Sequence, residues 1–294
     1  MKVTVLDQNF LGHPQSIASY LVEGKDGHIL IETGPASVQE HLERQVLEAG
    51  YSLDSVKHVL ITHIHLDHSG GAGYWAERGA KVYVHEKGAR HLIDPERLLA
   101  SAGRIYGDQM DYLWGKTIPV PETRVIPLGE ETTKISGHKV KSWDTPGHAG
   151  HHLAYQIESS VFTGDVAAVR IPDCNFVSVP APPPEFQLET WLQSLEKLRA
   201  LKAKRFYLTH FGTVENPAEH LDMLESRLRA CTEFVKPIYA MESKELQSAY
   251  QAWDREQAEA ADLTPQEYEI YEKANPSYMS AGGLARYWRK KLEA

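Results

Sequence analysis

The chain has little cysteine, no long apolar run and no excess of basic residues. Its 294 residues include two cysteines, Cys174 and Cys231, which lie far apart and outside any C-x-x-C pair. This pattern excludes a disulfide framework and a thiolate zinc site. No stretch approaches the about 18 uninterrupted apolar residues that a membrane span needs. The formal net charge of −9 argues against nucleic acid as a partner, because phosphate binding requires a basic surface.

The first residues also lack a signal-peptide pattern. Asp7 occurs before any apolar run of that length could form. We therefore expect a cytoplasmic protein whose partner is a small-molecule substrate rather than nucleic acid or a membrane.

Short β-rich runs alternate with helical patterns over the first two-thirds of the chain. The pattern predicts helices at a Ser37–Glu40 capping box and over Glu185–Ala203. Predicted strands are Val3–Leu6, Ile17–Val22, His28–Glu32, Val56–Thr62, Lys81–His85, Thr123–Pro127, Lys139–Trp143, His152–Ile157, Val161–Thr163 and Arg205–Thr209. We interpret this order as an α/β fold in which helices cover two mixed sheets.

Two regions depart from this alternation. Residues 88–120 have the pattern of a helical insertion, and the chain becomes wholly helical from about residue 216, with helix starts at Asn216 and Thr264. We predict a main domain over residues 1–215 and a C-terminal helical extension over 216–294. The many aromatic residues of the extension indicate packing, either as a cap on the same chain or in a homodimer.

Histidine and aspartate are concentrated in the stretch Thr62–His68, which reads T-H-I-H-L-D-H. If the preceding strand continued, His63, His65 and Asp67 would share one face. A loop could instead turn all four side chains, including that of His68, toward one point. Imidazole and carboxylate groups at this spacing suit a zinc site.

Three further ligand-type residues follow predicted strands. His148 lies in the Pro-Gly turn of T-P-G-H, Asp165 ends F-T-G-D, and His210 ends L-T-H. A sheet could deliver all three to one edge. Together with the first motif they make five histidines and two aspartates, too many for one tetrahedral ion and suited to two.

The set resembles the metallo-β-lactamase superfamily, whose pattern is H-x-H-x-D-H, a histidine, a bridging aspartate and a final histidine. The match spans about residues 1–215. It implies a four-layer αββα fold that holds two divalent metal ions per chain, with zinc expected and iron or manganese as alternatives. The implied ligands are His63, His65 and His148 on one ion, Asp67, His68 and His210 on the other, and Asp165 bridging both.

The resemblance also implies supporting positions behind these ligands. His152, in G-H-A-G-H-H, corresponds to one that is common in the family. The sequence departs from the family at Ile31–Gly34, where Glu32 replaces the usual aspartate before Thr-Gly. We expect the longer Glu32 to take the supporting role.

The implied chemistry is hydrolysis by a metal-bridging hydroxide, with Asp67 and Asp165 as the catalytic carboxylates that fix the ions and orient the hydroxide. The common di-zinc β-lactamases have cysteine in place of Asp165, and glyoxalase II enzymes have a glutathione-binding segment that is missing here. Ala168 stands where homoserine lactonases place tyrosine. With these branches set aside, the chain resembles a glyoxalase-II-like orphan branch of the superfamily. Thioester or ester hydrolysis is the first expectation, and lactone or phosphotriester hydrolysis the alternative.

Two other functional classes remain open. Persulfide dioxygenases share the pattern but bind one iron through positions equivalent to His63, His148 and Asp165. Arg170 fits their following arginine, although the surrounding Gly-Cys-Gly-Arg sequence is missing. A metal-free binding protein is the third class, but such a protein would be expected to have lost ligand residues.

Candidate substrate contacts come from the insertion and from the chain after Asp165. They are Tyr106, Tyr112, Trp114 and Arg170. Core packing of the aromatic residues and a solvated arginine are the competing interpretations.

Overall fold

The computed structural model describes residues 1–293 and divides into two compact units. The first unit comprises Met1–Asp144 and Leu153–Phe162. The second comprises Thr145–His152 and the chain from Thr163 onward. The chain therefore enters the second unit briefly between two strands of the first, and His148 and His152 lie on that excursion.

The first unit contains a six-stranded sheet whose strands lie side by side in chain order. They are β1 (Val3–Asp7), β2 (Ala18–Val22), β3 (His28–Ile31), β4 (Val56–Leu60), β5 (Lys81–His85) and β6 (Val125–Leu128). The pairs from β1 to β3 are antiparallel, and those from β3 to β6 are parallel. Parallel pairing requires long crossover connections, which helices supply.

Helices follow the parallel strands. They are α1 (Gln39–Glu48), α2 (Leu66–Ser69), α3 (Ala72–Glu77), α4 (Glu86–Ile93), α5 (Glu96–Tyr106) and α6 (Met110–Trp114). Apolar side chains of α1 and α3, including Leu42 and Trp75, pack with Val59 and Val82 of the sheet in one buried cluster. The helices α4 to α6 account for most of the predicted helical region 88–120.

The predicted capping box at Ser37–Glu40 is wrong. A 3-10 turn spans Ala36–Val38, and α1 begins at Gln39 without a side-chain cap. The Ser37 hydroxyl instead donates to the carbonyl oxygen of Leu113 at 2.7 Å. A tertiary hydrogen bond thus uses the hydroxyl that the local pattern assigned to the helix start.

A second set of strands in the first unit forms an antiparallel run. Its strands are β7 (Glu131–Ile135), β8 (His138–Asp144), β9 (Leu153–Ile157) and β10 (Ser160–Phe162). The sequence pattern did not predict β7, whose residues E-T-T-K-I are mostly polar and exposed. Asp144 pairs with Leu153, so the strands on either side of the excursion are adjacent.

The second unit is mainly helical. It contains a 3-10 turn at Gly164–Ala167, the strand pair β11 (Arg205–Leu208) and β12 (Gly212–Val214), and five helices among the described residues. The helices are α7 (Leu188–Ala200), α8 (Pro217–Val235), α9 (Ser243–Ala260), α10 (Pro265–Ala274) and α11 (Ser277–Leu292). The sequence pattern missed the three-residue strand β12, as it missed β7.

The predicted helix starts in the C-terminal region are confirmed. Helix α8 begins at Pro217, directly after Asn216. Helix α10 begins after Thr264, whose side chain accepts from the Glu267 N–H while the Glu267 carboxylate accepts from the Thr264 N–H. This reciprocal pair is a capping box, so local side-chain chemistry fixes the start of α10.

The mixed α/β fold, with two sheets, helices and a C-terminal helical extension, is confirmed. Each strand predicted from the sequence is present, with ends that agree to within two residues. The domain boundary between residues 215 and 216 stays a prediction. Among residues 1–293, no helix is long and apolar enough to cross a membrane.

Candidate metal centre

The histidine-rich motif of the first unit occupies the loop that follows β4. Because β4 ends at Leu60, His63 and His65 lie in irregular backbone, whereas Asp67 and His68 lie in α2. The His68 N–H donates to the carbonyl oxygen of His65 at 3.0 Å, which closes a tight turn. The motif therefore adopts a loop and a helical turn rather than a continued strand.

The side chains of this motif lie against one another. His63 Nε2 is 2.9 Å from His65 Nδ1, and the ring centroids of His63 and His68 are 4.0 Å apart. His68 Nε2 is 3.6 Å from Asp67 Oδ2. The His63 and His68 rings are fully buried. Such a dense group of imidazoles and a carboxylate, half of it fully buried, is the donor set that a divalent cation stabilises.

Glu32 lies beside two members of the motif. It is fully buried, and its carboxylate accepts a short hydrogen bond from the Thr62 hydroxyl. Its Oε1 is 3.2 Å from His68 Nδ1. The Thr62 hydroxyl oxygen is in turn 3.1 Å from His63 Nδ1. Glu32 thus contacts one candidate ligand directly and a second one through Thr62, a placement that suits the supporting role expected for it.

In the second unit, His148 follows a sharp turn. Gly147 has φ +136°, and a Cβ at this position would lie 2.4 Å from Trp191 Cβ, so the turn requires glycine. His148 Nδ1 donates to the Pro180 carbonyl oxygen at 2.7 Å. Its Nε2 lies 3.3 Å from Asp165 Oδ2.

Asp165 lies in the buried 3-10 turn that follows β10. Its Oδ1 is 3.5 Å from Nε2 of His210, which follows β11. The two carboxylate oxygens therefore face two different histidines of the same unit. That arrangement suits a carboxylate that bridges two cations.

The hydrogen bond to Pro180 determines which nitrogen of His148 can bind a cation. Because a carbonyl oxygen only accepts, Nδ1 carries the proton, and Nε2 of a neutral ring carries a lone pair. This lone pair faces Asp165 Oδ2 at 3.3 Å, and two acceptors at that distance repel unless a proton or metal ion lies between them. Imidazole and carboxylate donors suit zinc, and also iron or manganese.

Three side chains hold the backbone of the turn that carries Asp165. His152 Nε2 accepts from the Asp165 N–H at 3.1 Å, and Trp191 Nε1 donates to the Val166 carbonyl oxygen at 2.8 Å. His220 Nε2 donates to the Ala167 carbonyl oxygen at 2.7 Å. Burial lowers the pKa of His220 to about 4, so this ring is neutral at physiological pH.

The sequence pattern indicated a supporting role for His152 but not for Trp191 or His220. His152 was assigned a supporting position, and its other nitrogen lies 2.9 Å from the Thr145 hydroxyl oxygen, so hydrogen bonds occupy both ring nitrogens. Trp191 and His220 lie within helices and belong to no ligand-type motif. Their contacts with a distant turn leave no signal in the local sequence.

The candidate substrate contacts lie in different surroundings. Trp114 is buried against Phe10, with ring centroids 5.9 Å apart, and Tyr106 packs edge-on against it at 5.0 Å. Tyr112 is 62% exposed. Arg170 Nε donates to the Cys174 carbonyl oxygen at 3.1 Å. Contact of these four residues with a substrate stays a prediction.

Known proteins resemble this chain in sequence and in fold. A sequence model of the metallo-beta-lactamase superfamily matches residues 13–210. The metallo-beta-lactamase fold-containing protein ST1585 of Sulfurisphaera tokodaii is 26% identical over 221 residues, which cover 73% of this chain and 80% of that protein. Its crystal structure superposes with a TM-score of 0.68, covering 96% of this chain and 97% of that one.

One further solved structure and one fungal enzyme also resemble this chain. The metallo-beta-lactamase family protein TTHA1429 of Thermus thermophilus superposes with a TM-score of 0.70 at 21% identity, covering 98% of this chain and 93% of that one. An atrochrysone carboxyl ACP thioesterase of Aspergillus fumigatus is 26% identical over 212 residues, which cover 71% of this chain and 41% of the enzyme.

The sequence match extends from before the first histidine motif to the final histidine, His210. The match includes both groups of candidate ligand residues. The two superpositions extend over nearly the whole chain. The chain therefore belongs to the metallo-β-lactamase superfamily and is a metal-dependent hydrolase of that fold.

Proposed function

We propose that this hydrolase cleaves a thioester or ester at a centre of two divalent metal ions. The observation that carries the proposal is the position of Asp165, whose two oxygens face His148 at 3.3 Å and His210 at 3.5 Å. The proposed ligands are His63, His65 and His148 on one ion, Asp67, His68 and His210 on the other, and Asp165 between them.

The groups of the chain have distinct tasks in this proposal. A bound pair of divalent cations would lower the pKa of a shared water to about 7 and polarise the scissile carbonyl. Asp67 and Asp165 would hold the cations, and their carboxylate oxygens would orient that water as hydrogen-bond acceptors. The Pro180 carbonyl keeps the His148 Nδ1 protonated and leaves Nε2 available as a ligand. Burial of the histidines keeps competing bulk water away from the donor atoms.

A cysteine nucleophile does not fit the described chain. Burial raises the pKa of the Cys174 thiol and raises that of Cys231 to about 12. Both thiols are therefore protonated at neutral pH, and the reactive form of cysteine is the thiolate. This supports a water nucleophile over a cysteine-linked acyl-enzyme.

The thioester preference is supported by the fungal relative that is named a thioesterase. The match spans only 41% of that enzyme's length, so its substrate is not transferred to this chain. The resemblance to the glyoxalase-II-like branch supports the same bond type. Lactones and phosphotriesters remain the alternative substrates.

A substrate panel tests the proposal. Zinc-loaded protein is assayed against acyl thioesters, matched oxygen esters, lactones and phosphotriesters, before chelation, after chelation and after zinc is restored. We expect the highest kcat/KM for thioesters, loss of activity on chelation and recovery with zinc. A preference for lactones or phosphotriesters would overturn the substrate assignment, and activity that survives complete metal removal would overturn the mechanism.

Protein purified without chelator or added metal distinguishes the other functional classes. Oxygen consumption with a persulfide by protein that holds one iron would identify a dioxygenase. A folded protein that binds no metal and hydrolyses nothing would identify a binding protein. Light scattering distinguishes a homodimer from a monomer that is capped by its own C-terminal helices.

A further inference from the structure

Residues 176–181 form a buried segment of the second unit whose backbone is held by the C-terminal helices. Arg227 of α8 donates to the Val177 carbonyl oxygen at 3.2 Å. Tyr271 of α10 donates to the Phe176 carbonyl oxygen at 2.7 Å. We call this stretch the 176–181 segment. Side chains far along the chain thus satisfy polar groups that would otherwise be costly to bury.

Ser280 of α11 holds the centre of the segment. Its hydroxyl donates to the Val179 carbonyl oxygen at 2.8 Å and accepts from the Ala181 N–H at 3.2 Å. These two groups flank Pro180, which has no N–H of its own. The Pro180 carbonyl is therefore fixed from both sides, and it accepts from His148 Nδ1 at 2.7 Å.

Gly283 lets α11 approach the segment closely. A Cβ at Gly283 would lie 1.9 Å from the Ala181 carbonyl oxygen and 2.8 Å from the Pro182 carbonyl carbon, both of them backbone atoms. The neighbouring Gly282 differs, because a Cβ there would meet only Pro183 Cγ at 3.9 Å, an ordinary contact. Close contact with the segment therefore depends on Gly283 and not on Gly282.

We propose that Ser280 and Gly283 are positioning residues for His148, acting through the carbonyl group of Pro180. The inference rests on the proposed function in taking His148 as a metal ligand. It gives the C-terminal helical extension a role in the site: α11 fixes a carbonyl, the carbonyl fixes the proton on Nδ1, and Nε2 keeps its direction toward Asp165. Groups that orient a ligating histidine in this way commonly affect metal affinity and activity.

Zinc affinity, measured by chelator competition, tests the proposal with three variants. We expect Ser280→Ala and Gly283→Ala to weaken zinc binding by about 10–100-fold, the range typical for partners of ligating histidines. The matched control Gly282→Ala, in the same helix turn, should bind zinc like the parent protein. If Gly283→Ala does not fold, Ser280→Ala decides the question, since it removes a hydroxyl and adds no atoms.

The tautomer of His148 in metal-free protein provides a readout that a purely structural role would not move. In protein with ¹⁵N-labelled histidine, the His148 signals are identified by their absence in His148→Gln. We expect a protonated Nδ1 in the parent and in Gly282→Ala, and mixed tautomers in Ser280→Ala and Gly283→Ala. Lower thermal stability with an unchanged tautomer and unchanged zinc affinity would overturn the proposal.

The two proposals fail in different ways. If the parent binds zinc but hydrolyses none of the substrates, the proposed function fails, and the zinc affinities of the variants still decide the positioning role. If the parent binds no metal, the proposed function fails and so does the role toward a metal ligand, whatever the tautomer readout shows.

Discussion

The two units present their candidate ligands on differently built supports. In the first unit, His63, His65, Asp67 and His68 lie in one loop and helical turn. The fully buried Glu32, at the end of a neighbouring strand, contacts His68 directly and His63 through Thr62. In the second unit, His148, Asp165 and His210 come from three separate turns. Contacts from distant helices and from the 176–181 segment hold two of those turns.

This difference shows two ways to position a ligand. The compact motif is supported by residues that adjoin it, Glu32 and Thr62, which follow the paired strands β3 and β4. Dispersed ligands require supports from elsewhere in the chain, and here the C-terminal helices supply them through His220 and Ser280. The following predictions test this contrast, from the largest expected effect to the smallest.

Replacement of the central carboxylate of the second unit should have the largest effect. In Asp165→Asn, an amide donor replaces one oxygen that faces His148 or His210, so the side chain would no longer offer an oxygen to each of the two proposed cations. We expect a loss of kcat/KM greater than the about 10–100-fold that is typical for groups behind a ligand. Hydrolysis kinetics measure the effect, and Asp173→Asn, at an exposed aspartate, is the matched control. Activity retained in a metal-free Asp165→Asn protein would refute the mechanism.

Replacement of Glu32, which supports the motif of the first unit, by glutamine should weaken metal binding. Glu32→Gln keeps the side chain's length but places an NH₂ group where the carboxylate accepts from Thr62 and faces His68. We expect zinc affinity, measured by chelator competition, to fall by about 10–100-fold. The control is Glu23→Gln, which alters a carboxylate outside the motif that pairs with Lys2 and accepts from the Tyr51 hydroxyl. Equal losses in both variants would show that the effect is not specific to the motif.

His220, which holds the turn of Asp165 in the second unit, should make the stability of the protein depend on pH. The pKa of His220 is about 4 in the folded protein and near 6.5 when unfolded, because burial disfavours the charged ring. The unfolded state therefore binds more protons between these values, and the free energy of unfolding falls as pH falls from 6.5 to 4. We expect this contribution to be on the order of 3 kcal/mol.

Urea unfolding of metal-free protein across this pH range measures the effect. In His220→Gln the contribution should be absent, so its stability should vary less with pH than that of the parent. Other histidines titrate in both proteins, and the difference between the two curves isolates His220. Parallel curves would contradict the assignment of a buried, neutral His220.

The smallest expected effect compares two helix starts, one in each unit. Thr264→Ala should cost about 1 kcal/mol of unfolding free energy, whereas Thr264→Ser should retain most of it, because serine keeps the hydroxyl that accepts from the Glu267 N–H and donates to the Glu267 carboxylate. Ser37→Asp should not be tolerated, since it would place a carboxylate against the Leu113 carbonyl oxygen. Thermal unfolding measures both, and a tolerated Ser37→Asp would restore the capping box that the sequence suggested.

The sequence predicted the elements whose pattern is local. Buried strands such as β4 and the helix starts at Asn216 and Thr264 depend on hydrophobic spacing or on adjacent side chains, and they are confirmed. The strand β7 was missed because its residues are polar and exposed. The Ser37 capping box was wrong because a tertiary acceptor, the Leu113 carbonyl, competes for the hydroxyl.

The candidate site was predictable to a similar degree. The ligand-type residues stand in short motifs at strand ends and were found with the help of the family resemblance. The supports Trp191, His220 and Ser280 could not be found, since each acts on backbone atoms far away in sequence. Such contacts depend on the packing of helices and not on any local pattern.

Metal content tests the central claim most directly. Elemental mass spectrometry is applied to parent protein and to Asp165→Asn, both purified without chelator or added metal. We predict close to two zinc or manganese ions per parent chain and fewer in Asp165→Asn. One iron per chain, or a folded parent protein without bound metal, would contradict the binuclear hydrolase.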